Sequence, residues 1–276
     1  MNSITQDLII DLTDQYQLKF NNQKINEPYI IRGYSKDWKA QKKWNFNFLK
    51  GLDPNSIVNT VVGNAASGNK SIIPMSLENY IDSIELDDFN KYLTTFHLFK
   101  KYKFLKKDIV IDEIKKISLF QHLLAWIAPK GAITGFHQDW SENINVQIKG
   151  SKIFYLVSPE NDKNMYISDK FERISKTSLI DLNNVNYDKF PLFSKVKIYK
   201  FILKPSDAIF IPFGWWHYVE SLEPSINISI HYWKLKDLFG KLPIELTKVF
   251  LHDIGMYKKN NCACHQLENN RFIKRG

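Results

Sequence analysis

The sequence predicts a mainly β fold, a barrel or sandwich with flanking α-helices, on three observations. From about Ile117 onward, short runs rich in β-branched and aromatic residues recur between turn signals. Two of those runs, NINVQIKG from Asn143 and INISIHYW from Ile226, alternate between polar and apolar residues with the two-residue period of a strand. A chain of 276 residues that is 44% hydrophobic, with 19 Phe, 13 Tyr and 7 Trp, has the material for one sizeable core, and barrels of this length commonly form a single unit.

Taken in order, the N-terminal MNSITQDLIIDLTDQ lacks the basic region, long apolar core and cleavage site of a secretory signal. No apolar run is long enough to span a bilayer, so the expectation is a cytoplasmic or nuclear protein with no membrane partner. EPYIIRGY, Glu27 to Tyr34, has the apolar run of a short strand, and SLENYIDSI from Ser76 starts like a capped amphipathic helix. Residues 1–116 therefore read as an α/β region that packs on the barrel. Residues 117–235 form the core, with strands expected over Ser118 to Ile127, Asn143 to Ile148, Lys152 to Val157, Val196 to Leu203, Ala208 to Ile211 and Ile226 to Trp233. The polar stretch near 158–193 reads as an insertion over the barrel mouth. In 236–276, two short helices broken near Gly240 and Pro243 are expected, followed by a polar tail.

Thirty-eight Lys and Arg against 29 Asp and Glu give a net charge of +9, which biases encounter toward nucleic acid or acidic protein surfaces. The lysine pairs, such as Lys42-Lys43 and Lys106-Lys107, read as solvated faces. Cys262, Cys264 and His265 form a C-x-C-H cluster, but two thiolates and one imidazole without a fourth ligand make a poor structural zinc site, and a solvated tail is the plainer reading.

The chemistry lies in TGFHQD. His137 and Asp139, two residues apart, fall on one side of an extended strand and can share one ion. A third ligand from a distant strand would complete the two-His, one-carboxylate face of non-haem Fe(II), and His217 in IPFGWWHYVESL is the best candidate. An H-x-D tripeptide arises readily by chance, so its weight comes from its surroundings. The polar faces Asn143, Asn145, Gln147 and Asn227, Ser229, His231, Trp233 could meet solvent on an ordinary sheet or line a barrel interior. The neighbouring H-x-D favours the interior. A dicarboxylate such as 2-oxoglutarate held deep in a barrel needs a cation and a hydroxyl, which Lys152 and Thr134 can supply.

TGFHQDWSENINVQIKGSKIFYLVSP and NYDKFPLFSKVKIYKFILKPSDAIFIPFGWWHYVESL resemble the JmjC/cupin-like hydroxylases, and look most like the asparaginyl hydroxylase that inhibits hypoxia-inducible factor. The likeness covers roughly Ile117 to Trp233, including the His137 to Lys152 spacing and the W-W-H ending at His217. It implies a double-stranded β-helix, or jelly-roll, with Fe(II) held by His137, Asp139 and His217. It also implies 2-oxoglutarate contacts from Thr134, Asn143 and Lys152, with Val219 and Trp233 walling the pocket. His231 stands where that relative has an asparagine, and Asn145 where an aromatic is usual. The implied activity is that of a 2-oxoglutarate-dependent dioxygenase hydroxylating a protein side chain, with release of succinate and CO2. N-methyl-lysine demethylation and tRNA-base hydroxylation are the enzymatic alternatives. A non-catalytic cupin-like binding protein is the alternative of another class. The implied partner is a protein or peptide substrate, and the C-terminal helices either pair with a second copy of the chain, as in that relative, or simply pack on the barrel.

Overall fold

The computed structural model describes residues 4–5, 26–62, 71–85, 91–93, 97–173, 175–240, 242–262, 265–268 and 271–274. Its strands in chain order are β1 (Ile4–Thr5), β2 (Tyr29–Ile31), β3 (Ile57–Val62), β4 (Ser71–Ser76), β5 (Lys91–Leu93), β6 (Phe120–Ala128), β7 (Ile133–Asp139) and β8 (Glu142–Lys149). They continue as β9 (Lys152–Val157), β10 (Ser175–Thr177), β11 (Ile198–Leu203), β12 (Ala208–Ile211), β13 (Trp216–Ser221), β14 (Ser225–Trp233), β15 (His265–Glu268) and β16 (Arg271–Lys274). One sheet has the order β1-β11-β9-β13-β7-β10 and the other β2-β12-β8-β14-β6. From β6 to β9 and again from β11 to β14 successive strands swap between the two, with β9, β10 and β11 in the same sheet, which is the winding of a jelly-roll.

Alternation along these strands sorts the core into three apolar layers. Ile144, Val146, Ile148, Ile226, Ile228 and Ile230 face outward from the β8–β14 sheet and are covered by N-terminal side chains, among them Trp38, Trp44, Leu49, Leu77, Tyr80 and Phe99. Phe136, Trp216 and Tyr218 face outward from the β7–β13 sheet and are covered by Met165, Ile180, Phe190 and Phe193. Between the sheets, Phe154, Leu156, Phe201 and Leu203 meet Ile30, Ile209 and Ile211. Each fully buried aliphatic side chain of this kind stabilises by roughly 1.5–3 kcal/mol.

The helix over Leu77–Glu85 begins where expected: Ser76 accepts a hydrogen bond from the Asn79 backbone N–H, and the Tyr80 hydroxyl donates to the Ile127 carbonyl on β6. The β8–β9 turn depends on Gly150, whose φ is +66° and whose Cβ position would lie 2.2 Å from the Pro224 carbonyl oxygen. Only glycine avoids both the left-handed strain and that clash.

Several expectations need correction. β13, which carries His217, is a full strand absent from the sequence-derived set; Pro212 and Gly214, both turn formers, stand immediately before it. The stretch after Trp233 forms a 3-10 turn over Leu235–Phe239 and one helix over Leu242–Asp253. Pro243 sits in the first turn of that helix, where its missing N–H costs nothing, and therefore does not break it. The expected polar tail includes the antiparallel pair β15 and β16. Cys264 and the side chain of His265 lie outside the described residues, while Cys262 is half-buried with its thiol on the Lys259 carbonyl. No helix among the described residues is long and apolar enough to cross a membrane.

Candidate metal centre

β7 and β13 are antiparallel neighbours, and their register sets His137 directly opposite His217. Asp139, two residues further along β7, turns to the same inner face. One potential ligand atom from each of His137, Asp139 and His217 falls within 4.8 Å of the others, and no other such group occurs among the described residues. The two imidazole rings lie 3.9 Å apart, centroid to centroid.

Each ring is held by the same local device. Nδ1 of His137 is 2.8 Å from the Gly135 carbonyl, and Nδ1 of His217 is 3.1 Å from the Trp215 carbonyl. A carbonyl only accepts, so the proton sits on Nδ1 in both rings and the Nε2 lone pair is left for a ligand. That lone pair on His217 faces Asp139 Oδ2 at 3.4 Å. Two electron-rich atoms so placed need a cation between them or a proton on one of them. Desolvation inside the barrel, followed by the field of His217, pushes His137 down to about 4, so its imidazole is neutral near pH 7 and able to bind a metal. Burial alone would raise the Asp139 carboxyl, but with a proton rather than a cation between the two groups, the hydrogen bond and charge of His217 hold it below the usual carboxylate range.

Below this face the inner surface steps downward through Val219, paired with Thr134 and Phe154, to Ser221, paired with Lys152. From His217 to Ser221 the strand covers roughly 13 Å. Thr134 and His137 are three residues apart and would point to opposite faces of a regular strand. The β7–β13 register shifts between His217 and Val219, so three steps on β7 match two on β13 and both side chains turn inward. Lys152 is buried at 4% exposure, and burial is the only influence on its ammonium, which falls from 10.5 to about 8. Among the described residues no carboxylate pairs with it.

The opposite wall is polar. Asn143, Asn145, Asn227, Ser229 and His231 are all buried there, which decides the choice between solvent and interior. Asn143 reaches Asp139 Oδ2 with Nδ2 at 3.5 Å and its buried Oδ1 has no partner among the described residues, while Asn145 accepts from Ser229 at 2.5 Å. His231 Nδ1 lies 2.9 Å from the Ser141 hydroxyl and 3.8 Å from Asp139 Oδ2. At the rim, Trp233 donates to the Trp140 carbonyl at 2.6 Å and stacks on Phe120. The nine residues named from the sequence as metal ligands or co-substrate contacts thus lie on one inner surface and its rim. Ser141 was missed, and nothing in its sequence context marks it.

The residues fit a divalent cation at the three-ligand face, and they fit an anion below it, where a buried ammonium has no counter-charge. The chain also matches the model of the cupin-like domain over residues 18–234. It is 29% identical over 219 residues to Jumonji C domain-containing protein 5 of Drosophila melanogaster, a match covering 75% of this chain and 54% of that protein. It is 30% identical over 214 residues to lysine-specific demethylase 8 of Danio rerio, covering 74% and 52% respectively. JmjC domain-containing protein D of Dictyostelium discoideum is 29% identical over 242 residues, 79% of this chain and 53% of that protein. The chain spans about half the length of these curated relatives. Fold, inner surface and family match agree: this chain belongs to the cupin-like domain family.

Proposed function

We propose that the chain is an Fe(II)- and 2-oxoglutarate-dependent oxygenase that hydroxylates a protein side chain. The observation that carries this reading is the pairing of a two-His, one-carboxylate face with a buried, uncompensated lysine beneath it on the same inner surface. His137, Asp139 and His217 would hold the iron through Nε2, a carboxylate oxygen and Nε2. Iron, when bound with the 2-oxo acid, would supply the oxidising chemistry from dioxygen, one oxygen atom passing to the substrate and the other to succinate as CO2 is lost.

The chain's own residues do the rest. Lys152 gives the distal carboxylate of the co-substrate its counter-charge, and Thr134 gives it a hydroxyl. Asn143 and His231 flank Asp139 and orient it, while Val219 and the apolar wall of Phe154 and Leu156 exclude water beside the co-substrate. Trp233, clamped on the Trp140 carbonyl, fixes the rim that a substrate must cross.

A protein side chain is the preferred substrate, as in the asparaginyl hydroxylase likeness read from the sequence. N-methyl-lysine demethylation is the second reading, favoured by the names of the Danio rerio and Arabidopsis thaliana relatives, both lysine-specific demethylases. A cytoplasmic or nuclear location accords with either. The exposed apolar side chains Phe239, Ile244, Leu246 and Phe250 support a homodimer through the C-terminal segment.

The test is turnover of Fe(II), 2-oxoglutarate and oxygen with a peptide pool derived from the host proteome. Peptide-stimulated succinate with a product gaining one oxygen is the expected result. Formaldehyde with loss of a methyl group would select demethylation, and no succinate above the metal-free control would overturn the oxygenase.

A further inference from the structure

Behind the metal face, on the outer side of the sheet, the two ligand-bearing strands are tied to each other by a carboxylate from the 158–193 segment. Gln138 lies between His137 and Asp139, Trp216 precedes His217, and the register sets Gln138 opposite Trp216. Both point away from the barrel interior, and both donate to the same oxygen: Gln138 Nε2 to Asp162 Oδ1 at 2.6 Å and Trp216 Nε1 to Asp162 Oδ1 at 2.8 Å. Lys176, on β10, lies 4.0 Å from the other oxygen, Oδ2.

The backbone ladder is irregular at this point. Its register shift falls between His217 and Val219, and β13 begins at Trp216, so Asp139 extends past the end of its β13 neighbour. On its other side Asp139 pairs with Ser175, and His137 with Thr177, both on β10. The segment therefore supports the ligands twice, by β10 along the edge and by Asp162 across the last rung. We propose that Asp162 is a positioning residue that fixes the separation of His137 and Asp139 from His217. This rests on the reading of those three residues as a metal face.

Without the carboxylate, the buried Gln138 amide and the fully buried Trp216 indole N–H lose their shared acceptor, and each must find another or strain the strand that carries it. Asparagine keeps an oxygen at the same place and tests the acceptor role apart from the charge.

The experiment compares wild type, Asp162→Ala and Asp162→Asn by Co(II) titration, by the Co(II) ligand-field spectrum, and by amide hydrogen exchange of peptides covering 134–140 and 215–219 in the metal-free protein. Asp162→Ala should weaken Co(II) binding by roughly tenfold to a hundredfold, alter the spectrum and speed exchange in both peptides. Asp162→Asn should restore all three close to wild type. Wild-type affinity, spectrum and exchange in Asp162→Ala would overturn the proposal, as would an Asp162→Asn variant as impaired as Asp162→Ala. If wild type itself bound no Co(II), the metal reading would fail, while the exchange comparison would still decide whether Asp162 ties the strands.

Discussion

Replacing Lys152 with methionine keeps an unbranched apolar stem of similar length and removes the ammonium group, charge and donors together. The buried ammonium lies at about 8 rather than 10.5 because burial disfavours its charged form. At about 1.4 kcal/mol per pH unit, that difference amounts to about 3 kcal/mol of destabilisation in the ligand-free protein. The sign follows from linkage: below about pH 8 the folded and unfolded chains both carry the proton and the full penalty applies. Between about 8 and 10.5 the folded state releases its proton first, and the penalty fades as pH rises. Lys152→Met should therefore be more stable than wild type by about 3 kcal/mol near neutral pH, with the gain shrinking at alkaline pH, while binding of 2-oxoglutarate is strongly weakened. Urea unfolding of both proteins from pH 6.5 to 9.5, with and without the dicarboxylate, reads this directly. A Lys152→Met protein that is less stable than wild type at neutral pH, or a gain that does not change with pH, would refute the claim that the ammonium is buried without a counter-charge.

Gly150→Ala and Gly131→Ala test the turn argument as a pair, since φ is positive at both but only Gly150 faces a backbone clash. Thermal or urea unfolding should show a loss of about 1–2 kcal/mol at Gly131 from left-handed strain alone and about 3 kcal/mol or more at Gly150; equal losses would contradict the close approach to Pro224. The proposed homodimer predicts a dimer mass for wild type and a monomer mass for Phe250→Asp combined with Phe239→Asp in light scattering after size exclusion; a monomeric wild type, or an unchanged dimer mass in the variant, would remove the C-terminal segment as the contact.

Much of the site was legible because its signals are local. The i, i+2 spacing of His137 and Asp139 survives any strand register, and the alternation of Asn143 to Ile148 and Ile226 to Trp233 states which residues share a face. What covers each face was less legible. Phe136, Trp216 and Tyr218 alternate with the inner residues and announce a second apolar surface, yet only the structure shows the 158–193 segment supplying Met165, Ile180 and Phe193 to cover it. Thr134 turns inward through a register shift that no two-residue period can express. Asp162 acts across more than fifty residues of sequence to Trp216, and a lone aspartate in a polar stretch carries no local mark of that contact.

The most direct measurement is anaerobic titration of the purified protein with Fe(II) and 2-oxoglutarate, following the weak visible charge-transfer band of an iron-chelated oxo acid in wild type, His137→Ala and Lys152→Ala. The account predicts a band in wild type, none in His137→Ala, and a band in Lys152→Ala that needs far more 2-oxoglutarate to develop. No band in wild type, together with no affinity for 2-oxoglutarate, would contradict it and leave a barrel that binds without oxidising.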